Sequence, residues 1–504
     1  MADKIINTRS RCVAKFYNYE ERSGFTSSST KTASFIEDDA IIQCAIGREK
    51  GSPFESFQMV LKPKMNYPDV IKPGDWVMIY LDDEKNINLK DRTGLRCIGN
   101  IDRVALNTST NEDGSVIRTY TVSGGGIGKV FNQTEMYYNP YADQSVQQLA
   151  HLTAGYAIQG SPYDFVVGYL DLFLGDAKKQ GLEDLLYSLF VPYDLYKDLQ
   201  GEDREKQVAV SFYDILVQKL NDDVKEGYSF TRDISRVMSG NLWNTLQQGC
   251  NSVVNELYLD LREGKPTLIL RKQPLRKEKL LERANETIND KNYELSLDKI
   301  VNLNLGTSDH EVFNFIALWP TNDLIDDKVF ALAAKGSKDF PRIDRDLLKR
   351  FGLRRFERNT EFAFDQSNTL GEVLYTWVDE LAEYWFNYYR FENGTIELRG
   401  KYDFEIGNFY LVPELNKIFM VEGVQYDWSF GSSIIVTLSV THGLTKEGEF
   451  VDSTATTQVS EKNGLAITSY TRPNDKSFSS TDSNLGLDKI AQGAKGLRNV
   501  LSNL

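Results

Sequence analysis

PGDWVMI, residues 73–79, and IGNFYLV, residues 406–412, are the stretches on which the fold turns. In each, a glycine turn delivers the chain into an apolar strand. Pro73 presets φ at the second position of a turn over Lys72–Asp75, and Gly74 takes the positive φ that a type II turn needs at the third. The sequel is alike in both places. CIGNIDRV (97–104) and RTYTVSG (118–124) follow the first; MVEGVQYDW (420–428) and VTLSVTHG (436–443) follow the second. The middle segments carry a glycine, Gly99 or Gly423, flanked by Ile or Val, and the closing segments run into glycine. In the last of them Ile434, Val436, Leu438 and Val440 share one side of a strand, with Thr437 and Ser439 on the other. This internal likeness predicts two small antiparallel β-barrels per chain, divergent copies of one unit, with Gly74, Gly99, Gly407 and Gly423 as structural turn glycines.

Outward from these repeats, the chain reads as a β-rich α+β protein. Residues 1–133 form the first barrel domain, with Asp113-Gly114 closing a hairpin. Residues 134–250 are expected to be a helical insertion domain, because Val208–Leu220 and Ile234–Leu246 repeat apolar residues at steps of three and four. Thr231-Arg232-Asp233-Ile234 offers capping acceptors at a helix start. The second barrel domain spans 251–445 and contains a helix over 369–391 whose apolar stripe runs from Leu370 through Trp377 to Tyr388, stopped by Asn393-Gly394. A flexible Ser/Thr-rich linker, 446–484, leads to an amphipathic docking segment, 485–504, in an extended C-terminal tail. There Leu487, Ile490, Ala494, Leu497 and Leu501 make one apolar stripe for a partner, while Gly493 and Gly496 weaken the isolated helix.

The 504 residues hold 58 Lys and Arg against 72 Asp and Glu, a net charge of −14. Such a balance argues against a surface built to grip nucleic acid. The four cysteines, Cys12, Cys44, Cys97 and Cys250, never approach metal-ligand or CxxC spacing, and reduced thiols are expected. The amino terminus, MADKIINTRSR, has no apolar core of a signal peptide. No apolar run reaches the ~20 residues of a membrane helix, so no membrane insertion is expected and assembly takes place in a cytoplasm.

Enzymatic signatures fail on spacing. SGGGIGKVF, 123–131, has Ser123 where a phosphate loop needs its first glycine and Val130 where it needs a hydroxyl, and reads as a flexible turn after a strand. The histidines, His151, His310 and His442, fall in different units without a second ligand nearby. Carboxylate neighbours such as Asp379-Glu380 and Asp82-Asp83-Glu84 could serve glycoside hydrolysis, yet in so acidic a chain they fit a solvated face. No catalytic, metal or cofactor residue is assigned. A wall-degrading hydrolase with an unrecognised carboxylate pair stays open as the alternative.

LWNTLQQGCNSVVNELYLDLREGKPTLILRKQPL, 242–275, resembles the entry into the second barrel of baseplate hub proteins of long-tailed bacteriophages. GTIELRGKYDFEIGNFYLV and KIFMVEGVQYDWSFGSSIIVTLSVTHGL are similar to the closing strands of that family and of type VI secretion spike hubs, which leaves a type VI secretion-like spike hub open as a second alternative. The resemblance covers most of residues 10–445 and implies a non-enzymatic structural protein of the virion. It further implies a homotrimeric symmetry adaptor of pseudo-sixfold shape, joining a hexameric tail tube protein to a threefold central spike protein among other baseplate proteins. DNA would pass through its lumen without specific binding. The chain departs from the family in having no fused spike barrel after residue 445.

Overall fold

The computed structural model describes residues 9–19, 32–52, 55–110, 114–136, 160–170, 190–200, 209–211, 216–228, 240–288, 291–307, 312–320, 341–362, 372–400 and 403–450. The first half of the main sheet contains β1 (Ser10–Tyr19), β2 (Thr32–Glu37), β3 (Ile41–Glu49), β4 (Ser56–Leu61), β5 (Trp76–Asp83), β6 (Leu95–Thr110) and β7 (Val116–Gly126). Short strands β8 (Glu135–Met136), β9 (Phe190–Pro192), β10 (Ala209–Ser211), β11 (Val217–Leu220) and β12 (Gly240–Asn241) follow. Next come β13 (Asn255–Arg262), β14 (Lys265–Lys272), β15 (Ile300–Gly306), β16 (Phe315–Pro320), β17 (Arg342–Ile343) and β18 (Arg355–Thr360). The chain returns to the main sheet through β19 (Glu392–Arg399), β20 (Phe409–Val412), β21 (Lys417–Ser429) and β22 (Ile435–Thr445).

The expected pair of separate barrels is not what the strands build. They form one sheet of 12 strands, in the order β15-β19-β22-β21-β3-β4-β7-β6-β5-β1-β2 with β20 beside β21, and no closed barrel occurs among the described residues. The reason is β3. Instead of closing its own half, it pairs antiparallel with β21, from Gly423 opposite Glu49 to Ser429 opposite Gln43. A buried strand edge must find a ladder partner, and β3 finds it in the other half of the chain.

Within the sheet the halves have matching strand order. β5-β6-β7-β4-β3 in one and β20-β21-β22-β19-β15 in the other follow the same sequence-to-space pattern, and all these pairings are antiparallel. The match extends to single hydrogen bonds. The Gly74 amide donates to the Ile101 carbonyl at 2.7 Å, and the Gly407 amide to the Val421 carbonyl at 2.7 Å. Ile101 in turn donates to Asp75 and Val421 to Asn408. Trp76 faces Asn100 as Phe409 faces Met420. Each middle strand then bulges at a carboxylate, Asp102 in β6 and Glu422 in β21. Outer strands β3 and β15 bulge too, at Ile42 and Val301.

Those bulges correct the glycine alignment. Asp102 corresponds to Glu422, so Gly99 corresponds to Phe419, and Gly423 to Arg103. Gly74 and Gly407 sit in turns at φ 90° and 77°, whereas Gly99 and Gly423 lie inside strands. At Gly99 the requirement is space: a Cβ would run into the Phe57 ring.

Three local expectations change. Ser123–Gly126 is strand rather than turn, paired with β4 on one side and β6 on the other, because a Cβ at Gly124 would strike the Asn100 carbonyl and Phe57. Val217–Leu220, inside the expected helix, is a strand running parallel to β14, whose ladder overrides the helical period. Asn393-Gly394 does not terminate a helix but lies within β19. The helix Glu372–Asn387 does form, burying Leu374, Trp377, Val378 and Leu381. The expected helix start at 231–234, His151, His310 and the C-terminal stripe Leu487, Ile490, Ala494, Leu497 and Leu501 lie outside the described residues.

The core beneath the main sheet is continuous across the joint: Ile46, Phe57, Met59 and Ile79 from one half pack in the same cluster as Tyr426, Val436, Leu438 and Ile396 from the other. Burial of this kind, at about 25 cal/mol per Å² of apolar surface, is the main source of stability.

Candidate functional site: the joint between the sheet halves

The joint starts from alternation. β3 buries Cys44, Ile46 and Arg48 on one face while Gln43 and Glu49 are exposed. β21 buries Val424, Tyr426 and Trp428 opposite them. Two amide bonds bracket the ladder, Phe430 to the Ile42 carbonyl and Lys50 to the Glu422 carbonyl, both 2.8 Å. At one end the Trp428 indole donates to Ser10 Oγ at 3.2 Å, and Ser10 Oγ donates to the Ser432 carbonyl at 2.6 Å.

A charged hairpin is laid across this joint. β13 and β14 are joined by a tight turn in which Glu263 and Gly264 both have positive φ, 52° and 68°, the hand that matches strand twist in two-residue hairpins. Strand alternation puts Glu256, Tyr258, Asp260 and Arg262 on one face of β13. Asp260 receives Arg48 Nη1 of β3 at 2.8 Å and the Ile406 amide at 3.1 Å. Arg48 Nη2 donates to the Phe404 carbonyl at 3.0 Å, and Arg262 Nη2 to the Ile406 carbonyl at 2.9 Å. Thus one carboxylate and two guanidiniums hold the turn before Gly407 against the first half.

The other end of the hairpin is organised around Glu256. Its carboxylate meets Lys50 Nζ at 2.6 Å, Arg283 Nη1 at 2.8 Å and Arg271 Nε. Arg271 Nη2 reaches on to the Gly407 carbonyl at 2.7 Å. Burial alone would push the Glu256 carboxyl up, but Lys50, Arg271 and Arg283 overcome it and hold the group well below the usual range. For Asp260 burial wins over Arg48 and Arg262, and the carboxyl is pushed up from its ordinary value. Nearby, burial drives the His442 imidazole down to about 3, assisted by Lys50; its two ring nitrogens are hydrogen-bonded to Tyr384 Oη at 2.7 Å and Thr441 Oγ1 at 2.8 Å. A neutral, fully engaged histidine here is a packing element.

The bulge carboxylates carry their own lysines. Glu422 is met by Lys50 at 3.3 Å, and Asp102 by Lys129. Lys129 also donates to Asn100 Oδ1 at 2.7 Å, so the lysine of the glycine-rich stretch is spent on the sheet. Four of the acidic neighbours named from the sequence are ion-paired as well: Asp82 with Arg96, Glu84 with Arg11, Asp379 with Arg342, and Glu380 with Lys272 and Arg276. All four cysteines are buried free thiols. Among the described residues, no group of three or more His, Cys, Asp and Glu is placed to hold a metal ion, and no helix is long and apolar enough to cross a membrane. What this arrangement can do is mechanical: it fixes two sheet halves in one register.

Sequence reading missed Arg48, Glu256, Asp260 and Arg271. The available signal was NELYLDLR itself, in which Glu256, Asp260 and Arg262 alternate with leucines on a strand that another layer covers.

No protein-family model matches the sequence, and no curated protein matches it. The fold is similar to solved phage-tail and type VI secretion structures. A tail protein from Neisseria meningitidis MC58 shares 10% identity at a TM-score of 0.44, over 85% of this chain and 96% of that one. The 43 kDa tail protein of prophage MuSo2 from Shewanella oneidensis shares 12% at 0.44, over 88% and 100%. A chain of the Francisella PdpA-VgrG complex shares 10% at 0.40, over 86% and 58%.

Proposed function

We propose that the chain is a structural baseplate or tail-tip hub of a phage tail, a homotrimer forming a ring of pseudo-sixfold symmetry. Each chain supplies two divergent copies of one β unit, so three chains supply six. One face of the ring meets the hexameric tail tube protein and the other a separate threefold central spike protein. The lumen is part of the DNA conduit, and its acidity lets phosphates pass without being paired. The insertion of 134–250, helices and short strands among its described residues, and a linker that follows Phe450 decorate this ring, and the stripe of Leu487, Ile490, Ala494, Leu497 and Leu501 docks on another baseplate protein. The hub is assembled in the host cytoplasm and resides in the virion; no catalytic step is assigned to it.

The observation that carries this reading is the shared strand order of the two halves together with the identical Gly74–Ile101 and Gly407–Val421 bonds. Two equal units in one polypeptide are the simplest way for a threefold object to meet a sixfold one. Light scattering of the purified chain tests it: a mass of three chains is expected, and a stable monomer at micromolar concentration overturns it.

A further inference from the structure

The internal joint uses one outer strand and the far half of one middle strand. The same two elements recur with their edges open. β15 is the outermost strand at its end of the sheet, and β5 pairs with β6 only as far as Asn100, leaving Arg103–Thr110 laddered on one side alone among the described residues. Apolar side chains stand exposed on both: Leu106 is 52% accessible and Val301 44%, while Ile46 and Tyr426, which occupy the internal joint, are 0%. Open apolar strand edges invite pairing.

We infer that β15 of one copy pairs antiparallel with residues 104–109 of β6 in the next copy, in the register of β3 against β21. This rests on the ring reading above. The register follows from the bulges. Tyr426 lies as far beyond Glu422 as Leu106 lies beyond Asp102, and Ile46 as far beyond Ile42 as Leu305 beyond Val301. Since Ile46 faces Tyr426, Leu305 faces Leu106. Ala45 opposite Asp427 likewise becomes Asn304 opposite Asn107. The contact is heterologous, one open edge of each kind per chain, so each added copy presents the edge that the next one needs.

The bracketing bonds at Ile42/Phe430 and Lys50/Glu422 mark those pairs as hydrogen-bonded, so Ala45/Asp427 and its counterpart are non-hydrogen-bonded sites. There the Cα atoms approach to about 4.5 Å, inside disulfide reach. The double variant Asn107→Cys/Asn304→Cys therefore forms, under mild oxidation, a covalent trimer on non-reducing gels that thiol reductant dissolves. Both asparagines are exposed, and the native thiols are buried. Thr108→Cys/Asn304→Cys, slipped by one residue so that the thiols point to opposite faces, stays uncrosslinked. Independently, Leu106→Lys lowers the solution mass from three chains to one while the circular dichroism spectrum is kept. A native trimer in which neither pair crosslinks, or in which both do equally, overturns this joint and leaves the ring. A folded wild-type monomer overturns both. Masses growing beyond three chains overturn the closed ring and keep the strand pairing.

Discussion

Arg48 donates to Asp260 across 2.8 Å with both side chains all but sealed from solvent, at 3% and 0% accessibility, and so ties the first sheet half to the hairpin that holds the second. Breaking a buried pair by removing one partner leaves a bare charge, at a cost of about 3–5 kcal/mol. Asp260→Ala and Arg48→Ala are each expected to lose that much in urea unfolding. Replacing both together should cost less than the sum of the two. Additive losses in the double-mutant cycle would mean that the two groups do not act as a pair.

Acid weakens the joint in two stages. His442 is neutral in the folded state, its pKa lowered to about 3 from 6.5, so the unfolded chain takes up the proton first. Stability contributed by the neutral ring is complete above the unfolded value and declines as pH falls from 6.5 toward 3, by up to about 1.4 kcal/mol per pH unit. Glu256, whose pKa is depressed, adds a second loss below its unfolded value of 4.5. His442→Asn, which tolerates the φ of 56° at this position, should flatten the upper stage alone, and Glu256→Gln the lower one. Unfolding midpoints measured from pH 7 to 3 check both.

Gly99 is held by its neighbour's ring. Gly99→Ala drives a methyl into Phe57 and should destabilise by about 1–3 kcal/mol, as overpacking does. Phe57→Leu in the same chain should restore part of the loss. If the double variant is no better than the single, backbone freedom rather than space is what position 99 requires.

The folded body extends past the last glycine of the repeat. Leu444 is fully buried opposite Ile418, and Phe450 packs on Phe391 beneath Arg390. Truncation after Gly443 should therefore lower the melting temperature, whereas truncation after Phe450 keeps these contacts and should weaken the proposed attachment to another baseplate protein. Co-sedimentation with reconstituted baseplate parts separates these effects.

Two blank results are expected of the purified chain. Duplex DNA should not be retained at low salt, where binding by lysines and arginines would be strongest. Peptidoglycan turbidity should not fall on incubation. Strong DNA retention would remove the conduit role, and clearing of the wall suspension would make the chain an enzyme.

The likeness of PGDWVMI to IGNFYLV was legible because a turn glycine and a following aromatic, Trp76 or Phe409, leave a local imprint. The alignment of Gly99 with Gly423 failed for a local reason too: a glycine beside Ile or Val can stand anywhere along an apolar strand, while the bulges that mark the true register, at Asp102 and Glu422, read as ordinary polar positions. The pairing of Ile46 with Tyr426 joins segments hundreds of residues apart, and no period within either strand encodes it. Buried charge left only the alternation of NELYLDLR as a trace. Glu256 and Asp260 look solvated in sequence, because only the third dimension brings Lys50, Arg48 and Arg271 to them.

The long hairpin of β6 and β7 has a cost outside the proposed ring. Toward its tip Val116 and Ile117, 56% and 45% accessible, stand in solvent, next to β6 backbone that among the described residues is laddered on one side alone. A chain newly released from the ribosome thus carries an adhesive flap before any companion arrives. Translation from a shared message, with siblings emerging side by side, would let that flap meet its proper mate before a stranger.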